Sequence, residues 1–258
     1  MNISDNIITK LGETEENYRV KIPIAIESGS RAWGFASPDS DYDCRFIYVR
    51  RMDDYITVFQ NKDTISYVPN KIFDLDGWDL KKVIQHIVKS NAVMFEWLSS
   101  EVTYKMDEEV HAKLWKLCEI FFNPISVSWH YLSMAKGKYH EILESDSAKI
   151  KKYCYVLRPL ACLKYIRMFG KIPFMEYRKN LDKIDVNCEI MGIIDELLKQ
   201  KQAANESQVI GENEILLRYF EEEIAISEKW LDGRKFDKCN KYDLADETFR
   251  EIIGMVNK

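Results

Sequence analysis

The sequence lacks a long apolar segment and lacks paired cysteines, and both absences narrow the class of protein. No apolar run reaches the roughly eighteen residues of a membrane-spanning helix, and the first residues lack the pattern of a signal peptide. None of the six cysteines belongs to a C-x-x-C pair, so neither a disulfide framework nor a zinc site is indicated. We therefore expect a cytoplasmic protein without membrane contact, whose cysteines are buried thiols.

The acidic residues outnumber the basic ones, so the chain lacks a net positive charge. Its net charge of −5 argues against general nucleic-acid binding. The segment 147–175 nevertheless contains no acidic residue and includes Lys152 and Arg158. Two interpretations of this basic segment remain open. It is either a solvated helix face or a groove for a triphosphate or polynucleotide, and the absence of nearby acids favours the groove.

Hydrophobic periodicity divides the chain into an early mixed part and a later helical part. Short β-branched and aromatic segments predict strands at VKIPIAIES, DCRFIYVR, DDYITVFQ, DTISYV and KIFDLD. From residue 79 onward the apolar spacing is mostly three or four, which predicts helices, with one interrupted at Pro159. The polar segment 201–213 predicts a flexible connection. We expect an α+β fold, with a mixed sheet and flanking helices in residues 1–100 and an all-helical domain in residues 101–258.

Glycines are scarce, with ten in the whole chain, yet two of them lie close to three aspartates in residues 29–43. A phosphate-binding P-loop has suitable glycine spacing at Gly29 and Gly34, but Phe35 occupies the position of the required lysine. An EF-hand loop beginning at Asp39 would place Cys44 and Arg50 where glycine and glutamate are required. The pattern therefore excludes both of these sites.

In a third interpretation, the glycine turn and the aspartates form one binding site. Gly29 and Ser30 follow a predicted strand, and a turn at glycine lets backbone N–H groups approach a phosphate closely. Asp41 and Asp43 lie two residues apart on the next predicted strand, so their side chains share one face. Such a carboxylate pair is suited to a divalent cation, and the combination predicts phosphoryl or nucleotidyl transfer.

These residues resemble the signature of nucleotidyltransferases related to DNA polymerase β, in which G-S is followed by D-x-D. The string ESGSRAWGFASPDSDYD, with GWDLKK, EWL and YVLRPL, resembles the branch of predicted nucleotidyltransferases associated with RNA ligases, from about residue 24 to about residue 174. The resemblance implies a polymerase β-type lobe that uses Mg²⁺ or Mn²⁺. It implies transfer of a nucleoside monophosphate from an NTP such as ATP to an acceptor hydroxyl, in a two-metal reaction.

The resemblance also implies a third carboxylate from a neighbouring strand. Asp74, Asp76 and Asp79 are the candidates; Asp74 is expected at the metal site, whereas Asp79 precedes a helical pattern and is expected to cap it. Asp76 precedes a glycine and is expected to lie in a turn.

The expected nucleotide contacts are Gly29, Ser30, Arg31, Lys152 and Arg158. Arg31 and Arg45 flank the aspartates, and each either steadies the triphosphate or neutralises the carboxylates when metal is absent. The acceptor is not identified by the sequence, and RNA, protein and small molecules all remain candidates. A different class also remains open, namely a catalytically silent nucleotide sensor or partner protein.

Overall fold

The computed structural model describes residues 3–67, 73–145, 149–203 and 213–257. The chain divides into two compact units. The first unit comprises Met1–Gly29, Asp41–Phe122 and Lys238–Lys258, and the second comprises Ser30–Ser40 and Asn123–Asp237. Both units are discontinuous in sequence, whereas the predicted domains 1–100 and 101–258 follow chain order. That domain division stays a prediction.

The first unit contains a mixed five-stranded sheet with the order β3-β4-β2-β1-β5. Its strands are β1 Lys21–Ser28, β2 Tyr42–Val49, β3 Thr64–Tyr67, β4 Phe73–Asp79 and β5 Thr103–Met106. Strands β2 and β4 are parallel, and the other three neighbouring pairs are antiparallel. A parallel pair requires a crossover connection between its strands, and α3 and β3 lie between β2 and β4 in sequence.

Helices account for most of the remaining described residues. They are α1 Ile3–Tyr18, α2 Gly29–Trp33, α3 Met52–Tyr55, α4 Leu80–Val88, α5 Ala92–Leu98, α6 Glu108–Phe121, α7 Pro124–Leu143, α8 Ile150–Phe169, α9 Tyr177–Leu181, α10 Cys188–Ala203, α11 Glu214–Leu231 and α12 Tyr242–Val256. A mixed sheet together with many helices confirms the predicted α+β class. No helix within the described ranges has both the length and the apolarity required to cross a bilayer.

Alternation along β2 separates the core of the first unit from its charged face. Cys44, Phe46 and Tyr48 are fully buried, and they belong to the same core cluster as Ile7 and Leu11 of α1. The residues between them point to the opposite face, because successive strand side chains alternate. The charged residues near the start of β2 therefore lie on the face of the sheet opposite to α1.

Helices α4, α5 and α6 also contact the sheet of the first unit, α4 through β2 and β4 and the other two through β1. Asp79 is the N-cap of α4, because its side chain accepts a hydrogen bond of 2.8 Å from the backbone N–H of Lys81. The capping role expected of Asp79 is thus confirmed.

In the described part of the second unit, every element longer than an isolated bridge is a helix, and α7, α8 and α11 contact one another. Helix α7 begins with Pro124 after the cap Asn123, and α8 ends at Gly170 with a left-handed backbone. The predicted interruption at Pro159 is wrong, since α8 continues through this residue. Most residues around Pro159 are buried, and their packing compensates for the hydrogen bond that proline cannot donate.

Two further expectations are wrong. The segment DDYITVFQ is not a strand. Asp53 and Asp54 lie in the first turn of the short helix α3, where acidic residues are favourable, and the apolar residues after the helix are exposed without a strand partner. The expectation that all six cysteines are buried fails at Cys188, which is exposed, and at Cys239, which is half-buried. Both lie in polar surroundings, unlike the four buried cysteines.

One strand was not predicted, and one predicted segment lies outside the described residues. The sequence did not predict strand β5, because this strand has only four residues and is half-exposed. The predicted flexible connection lies mostly in residues 204–212, outside the described residues.

Candidate active site

Asp43 and Asp74 are direct neighbours across two strands of the sheet. Asp43 is the second residue of β2, Asp74 is the second residue of β4, and the parallel register pairs them. In-register residues on adjacent strands project from the same face. The choice of Asp74 as the carboxylate beside Asp43 therefore agrees with the geometry, although its metal-binding role stays a prediction.

Arg45 lies between these two carboxylates. Its guanidinium donates to Asp74 Oδ1 at 2.8 Å and to Asp43 Oδ1 at 3.1 Å. A further contact joins the guanidinium to Asp74 Oδ2 at 3.5 Å. The planar fork of arginine suits this arrangement, since it presents several N–H groups to more than one acceptor. These contacts fit the interpretation in which Arg45 neutralises the carboxylates.

The environment of Asp43 disfavours its ionised form. Partial burial raises the pKa of the Asp43 carboxyl, the charge of Arg45 lowers it, and the charges of Asp41 and Asp74 raise it again, for a net increase. For Arg45, burial lowers the pKa, but hydrogen bonding and charge from Asp74, with the charge of Asp43, outweigh this effect and raise it. A second positive charge near Asp43 would favour ionisation of its carboxylate.

The backbone of Gly29 lies directly against Asp43. Gly29 has φ of 64°, a left-handed conformation that favours glycine. A β-carbon added to Gly29 would lie 2.0 Å from Asp43 Oδ2, which is far inside contact distance. Glycine is therefore required here twice, for its backbone conformation and for the space occupied by the carboxylate. The two halves of the sequence signature meet at this contact.

A buried glutamate supports Asp43 from behind. Glu27 is fully buried near the end of β1, and its Oε1 accepts a hydrogen bond of 2.8 Å from the backbone N–H of Asp43. Its Oε2 accepts a hydrogen bond from the hydroxyl of Tyr104 on β5. Burial raises the pKa of Tyr104, and the hydrogen bond to Glu27 raises it further, so the phenol remains protonated and donates. Sequence reasoning missed both residues, although an acid ending the apolar run IPIAIE was a detectable signal.

The remaining candidate aspartates have separate positions. Asp41 is exposed and lies just before β2, close enough for its charge to act on Asp43. Asp76 lies within β4 and accepts a hydrogen bond from the hydroxyl of Ser66, so the expectation of a turn there is wrong. Asp79 is buried and pairs with Arg50 in addition to capping α4.

Strand β4 continues past Gly77 because glycine makes room for the ring of Phe46.

The other predicted nucleotide contacts belong to the second unit. Ser30 is buried, and its carbonyl accepts a hydrogen bond from the Phe35 N–H. Arg31 donates to the carbonyl oxygen of Ser40 at 2.6 Å. Their roles in binding a nucleotide stay predictions.

Within the basic segment, the two predicted nucleotide contacts have different surroundings. The Lys152 ammonium donates to the carbonyl of Glu141 at 2.9 Å. Arg158 is only 4% exposed, and its guanidinium lies over the ring of Trp33 and donates to the sulfur of Met134. Their nucleotide-binding roles also stay predictions, and the burial of Arg158 was not evident from the sequence.

The carboxylate pair is chemically suited to a hard divalent cation. Asp43 and Asp74 supply oxygen donors from adjacent strand positions, which are the ligands that Mg²⁺ and Mn²⁺ prefer. Their side chains are 26% and 34% exposed, so a cation can reach them from solvent. Among the described residues, no three histidine, cysteine or acidic side chains converge in a ready metal site. The pair therefore fits a metal that is completed by water or by a substrate oxygen.

Comparisons with known proteins gave similarities to a relative, to a solved structure and to a family model. The chain is 34% identical over 256 residues to the uncharacterized protein YcgL of Bacillus subtilis (strain 168), with coverage of 99% of this chain and 97% of that protein. A solved nucleotidyltransferase-like protein from Exiguobacterium sibiricum 255-15 aligns at 12% identity and a TM-score of 0.32, over 100% of this chain and 81% of that chain. A family model matches residues 3–251, nearly the whole chain, and on this ground the protein belongs to the RNA repair pathway DNA polymerase beta family.

Proposed function

We propose that the protein transfers a nucleoside monophosphate from an NTP to an acceptor hydroxyl with the help of divalent cations. Its family indicates a polymerase β-like nucleotidyltransferase. The metal dependence, the two-metal mechanism and an RNA acceptor are the finer parts of the proposal. ATP as the nucleotide and a cytoplasmic location belong to it as well.

The main support for the proposal is the contact of Gly29 with Asp43, which is paired with Asp74. A backbone turn without a side chain touches one carboxylate, and the second carboxylate is in register beside it. Phosphoryl transfer needs phosphate oxygens and carboxylates close together, because both surround the same cation.

The roles of the residues follow from their chemistry. Asp41, Asp43 and Asp74 would hold Mg²⁺ or Mn²⁺, and Gly29 and Ser30 would contact the triphosphate through backbone N–H groups and a hydroxyl. A bound divalent cation would neutralise phosphate charge and align the reacting groups. Glu27 would keep the start of β2 in place, because it accepts the N–H of Asp43.

In the proposed reaction, the acceptor oxygen forms a bond to the α-phosphorus, and the bond from that phosphorus to the bridging oxygen breaks. Pyrophosphate leaves with the bridging oxygen, and the hydroxyl proton passes to solvent. Positioning supplies most of the acceleration, since the protein contributes no covalent intermediate.

One observation favours a second candidate, a nucleotide-binding protein without turnover. Among the described residues no three potential ligands converge, and a guanidinium lies between the carboxylates. A protein of this kind would bind an NTP and release no pyrophosphate. The two candidates therefore differ in a single measurement.

The test is incubation of the protein with each α-labelled NTP, with Mg²⁺ or Mn²⁺, and with or without RNA that ends in a 3′-hydroxyl. Pyrophosphate release and labelled RNA are measured together with nucleotide binding. Asp43→Asn and Asp74→Asn remove a charge while keeping the shape of the side chain. Asp63→Asn is the matched control, because Asp63 is an exposed aspartate in the same unit that pairs with Lys82.

We expect pyrophosphate release that is lost in Asp43→Asn and Asp74→Asn and kept in Asp63→Asn. Label on RNA would identify the acceptor class, whereas release without labelled RNA would point to another acceptor. Nucleotide binding without any release would support the silent protein. Absence of both binding and release would overturn both candidates.

A further inference from the structure

The guanidinium of Arg45 is a positive charge placed where the proposed function requires a metal charge. It contacts Asp74 Oδ1 at 2.8 Å and Asp43 Oδ1 at 3.1 Å. The same guanidinium also donates to the carbonyl oxygen of Cys44 at 3.0 Å. Both carboxylates thus have a cationic partner that is part of the chain.

The local charges explain why a cation is needed at this position. Asp43 and Asp74 are paired in register on β2 and β4, and Arg45 is paired with Asp76 two residues further along the same face. Carboxylates directly opposite each other on adjacent strands repel when both are ionised. Arg45 reduces this repulsion, and a divalent cation bound to the pair would do the same.

Arg45 can leave the carboxylates without a change in the fold. Its side chain is 20% exposed, so part of it already reaches solvent. Its backbone lies within β2, between the fully buried Cys44 and Phe46, which keep the strand in place whatever the arginine side chain does. Rotation about side-chain bonds is therefore sufficient to free both carboxylates.

We propose that Arg45 is a built-in counter-ion that competes with a divalent cation for Asp43 and Asp74 and so sets the affinity of the site for metal. This inference rests on the proposed function, because it requires these carboxylates to bind metal. Two effects act in the same direction. The cation must displace the guanidinium from its hydrogen bonds, and a nearby positive charge repels the incoming cation.

The test is the dissociation constant of Mn²⁺, measured by electron paramagnetic resonance of the free ion, in the absence of nucleotide. Arg45→Gln removes the competing charge. Arg50→Gln is the matched control, because Arg50 directly follows β2 and pairs with Asp79 through Nε and Oδ2 at 3.3 Å. Both variants remove one positive charge from the same unit, but only Arg45 lies between the two carboxylates. Asp43→Asn establishes whether the measured site is the proposed one.

We expect Arg45→Gln to bind Mn²⁺ about threefold or more tightly than the natural protein, and Arg50→Gln to change the affinity by less than about twofold. Arg45→Lys keeps the charge but loses the fork geometry, so its affinity should be intermediate. This variant decides the question if Arg45→Gln fails to fold by circular dichroism.

Two outcomes would contradict the inference in distinguishable ways. Equal or weaker Mn²⁺ binding by folded Arg45→Gln, with binding lost in Asp43→Asn, would overturn the counter-ion role and leave the proposed metal site intact. Absence of Mn²⁺ binding by the natural protein, or binding that Asp43→Asn does not alter, would overturn the metal site and the inference together.

Discussion

Replacement of Gly29 by alanine should weaken the proposed binding of a divalent cation while the protein stays folded. The added β-carbon would lie 2.0 Å from Asp43 Oδ2, whereas ordinary contacts begin at 3.4 Å, so the two atoms must separate by about 1.4 Å. Rotation of the Asp43 side chain provides this space, because the backbone of Asp43 is held by Glu27. The rotation carries the carboxylate away from Arg45 and from Asp74.

The magnitude has two parts, which a control separates. An L-residue in the left-handed conformation costs roughly 1–2 kcal/mol, which lowers the melting temperature by a few degrees in a chain of this size. Gly170 has φ of 62° and no atom within 4 Å of an added β-carbon, so Gly170→Ala carries the backbone strain alone. Loss of the Asp43 ligand should weaken Mn²⁺ binding about tenfold or more, but only in Gly29→Ala.

The assay combines thermal melting with the Mn²⁺ titration used for Arg45. We expect both alanine variants to melt a few degrees lower, and only Gly29→Ala to lose affinity for Mn²⁺. Unchanged Mn²⁺ affinity in folded Gly29→Ala would refute the argument that the glycine makes room for a ligating carboxylate. Equal losses of affinity in Gly29→Ala and Gly170→Ala would show that a general loss of stability is responsible.

Two further predictions concern stability. The pKa of Asp43 is raised in the native state, so the native state binds this proton more tightly than the unfolded state does. The protonated carboxyl therefore stabilises the fold at low pH, and this contribution is lost as pH rises above the ordinary pKa of 3.8. Without metal, the stability of Asp43→Asn relative to the natural protein should therefore increase between about pH 4 and pH 7 in chemical unfolding. Asp79→Ala removes the cap of α4 and the partner of Arg50. The free energy of unfolding should therefore fall by more than the roughly 0.5–2 kcal/mol typical of a cap, while Mn²⁺ binding remains.

Each of these predictions has an internal control. Asp63→Asn also removes an aspartate from the first unit, but at an exposed position, so its stability over the same pH range is the reference for Asp43→Asn. A parallel change in Asp63→Asn would contradict the role given to burial of Asp43. Asp107→Ala removes the cap of α6 at an exposed position, and an equal loss there would contradict the added role of the Arg50 pair at Asp79.

The sequence by itself determined the features that depend on neighbouring residues. Short segments rich in β-branched and aromatic residues predicted strands at β1, β2, β3 and β4, because such side chains pack well on a pleated surface. Asp79 was predictable as a cap, since an aspartate immediately before a helical pattern accepts the free N–H groups of the first turn. The G-S and D-x-D signature indicated nucleotidyltransferases related to DNA polymerase β, and the longer string ESGSRAWGFASPDSDYD with GWDLKK, EWL and YVLRPL indicated the narrower branch.

Only the tertiary structure decided which residues meet. The pairing of Asp43 with Asp74 depends on the parallel register of β2 and β4, and no local pattern specifies that register across 31 residues of chain separation. The contact of Arg45 with both carboxylates follows from the same register, which is why the sequence left its role open. The support of Asp43 by Glu27 also joins side chain and backbone from different strands.

The errors have the same physical origin. Segment 53–60 has the composition of a strand, but strand formation needs a partner edge, and the apolar residues that follow α3 have none. Proline usually interrupts a helix, yet packing around α8 holds it together through Pro159. Arg158 reads as a surface charge in sequence, whereas Trp33 and Met134 surround it in the folded second unit. Local sequence determines what a segment can form, and contacts between distant residues decide which form is the most stable.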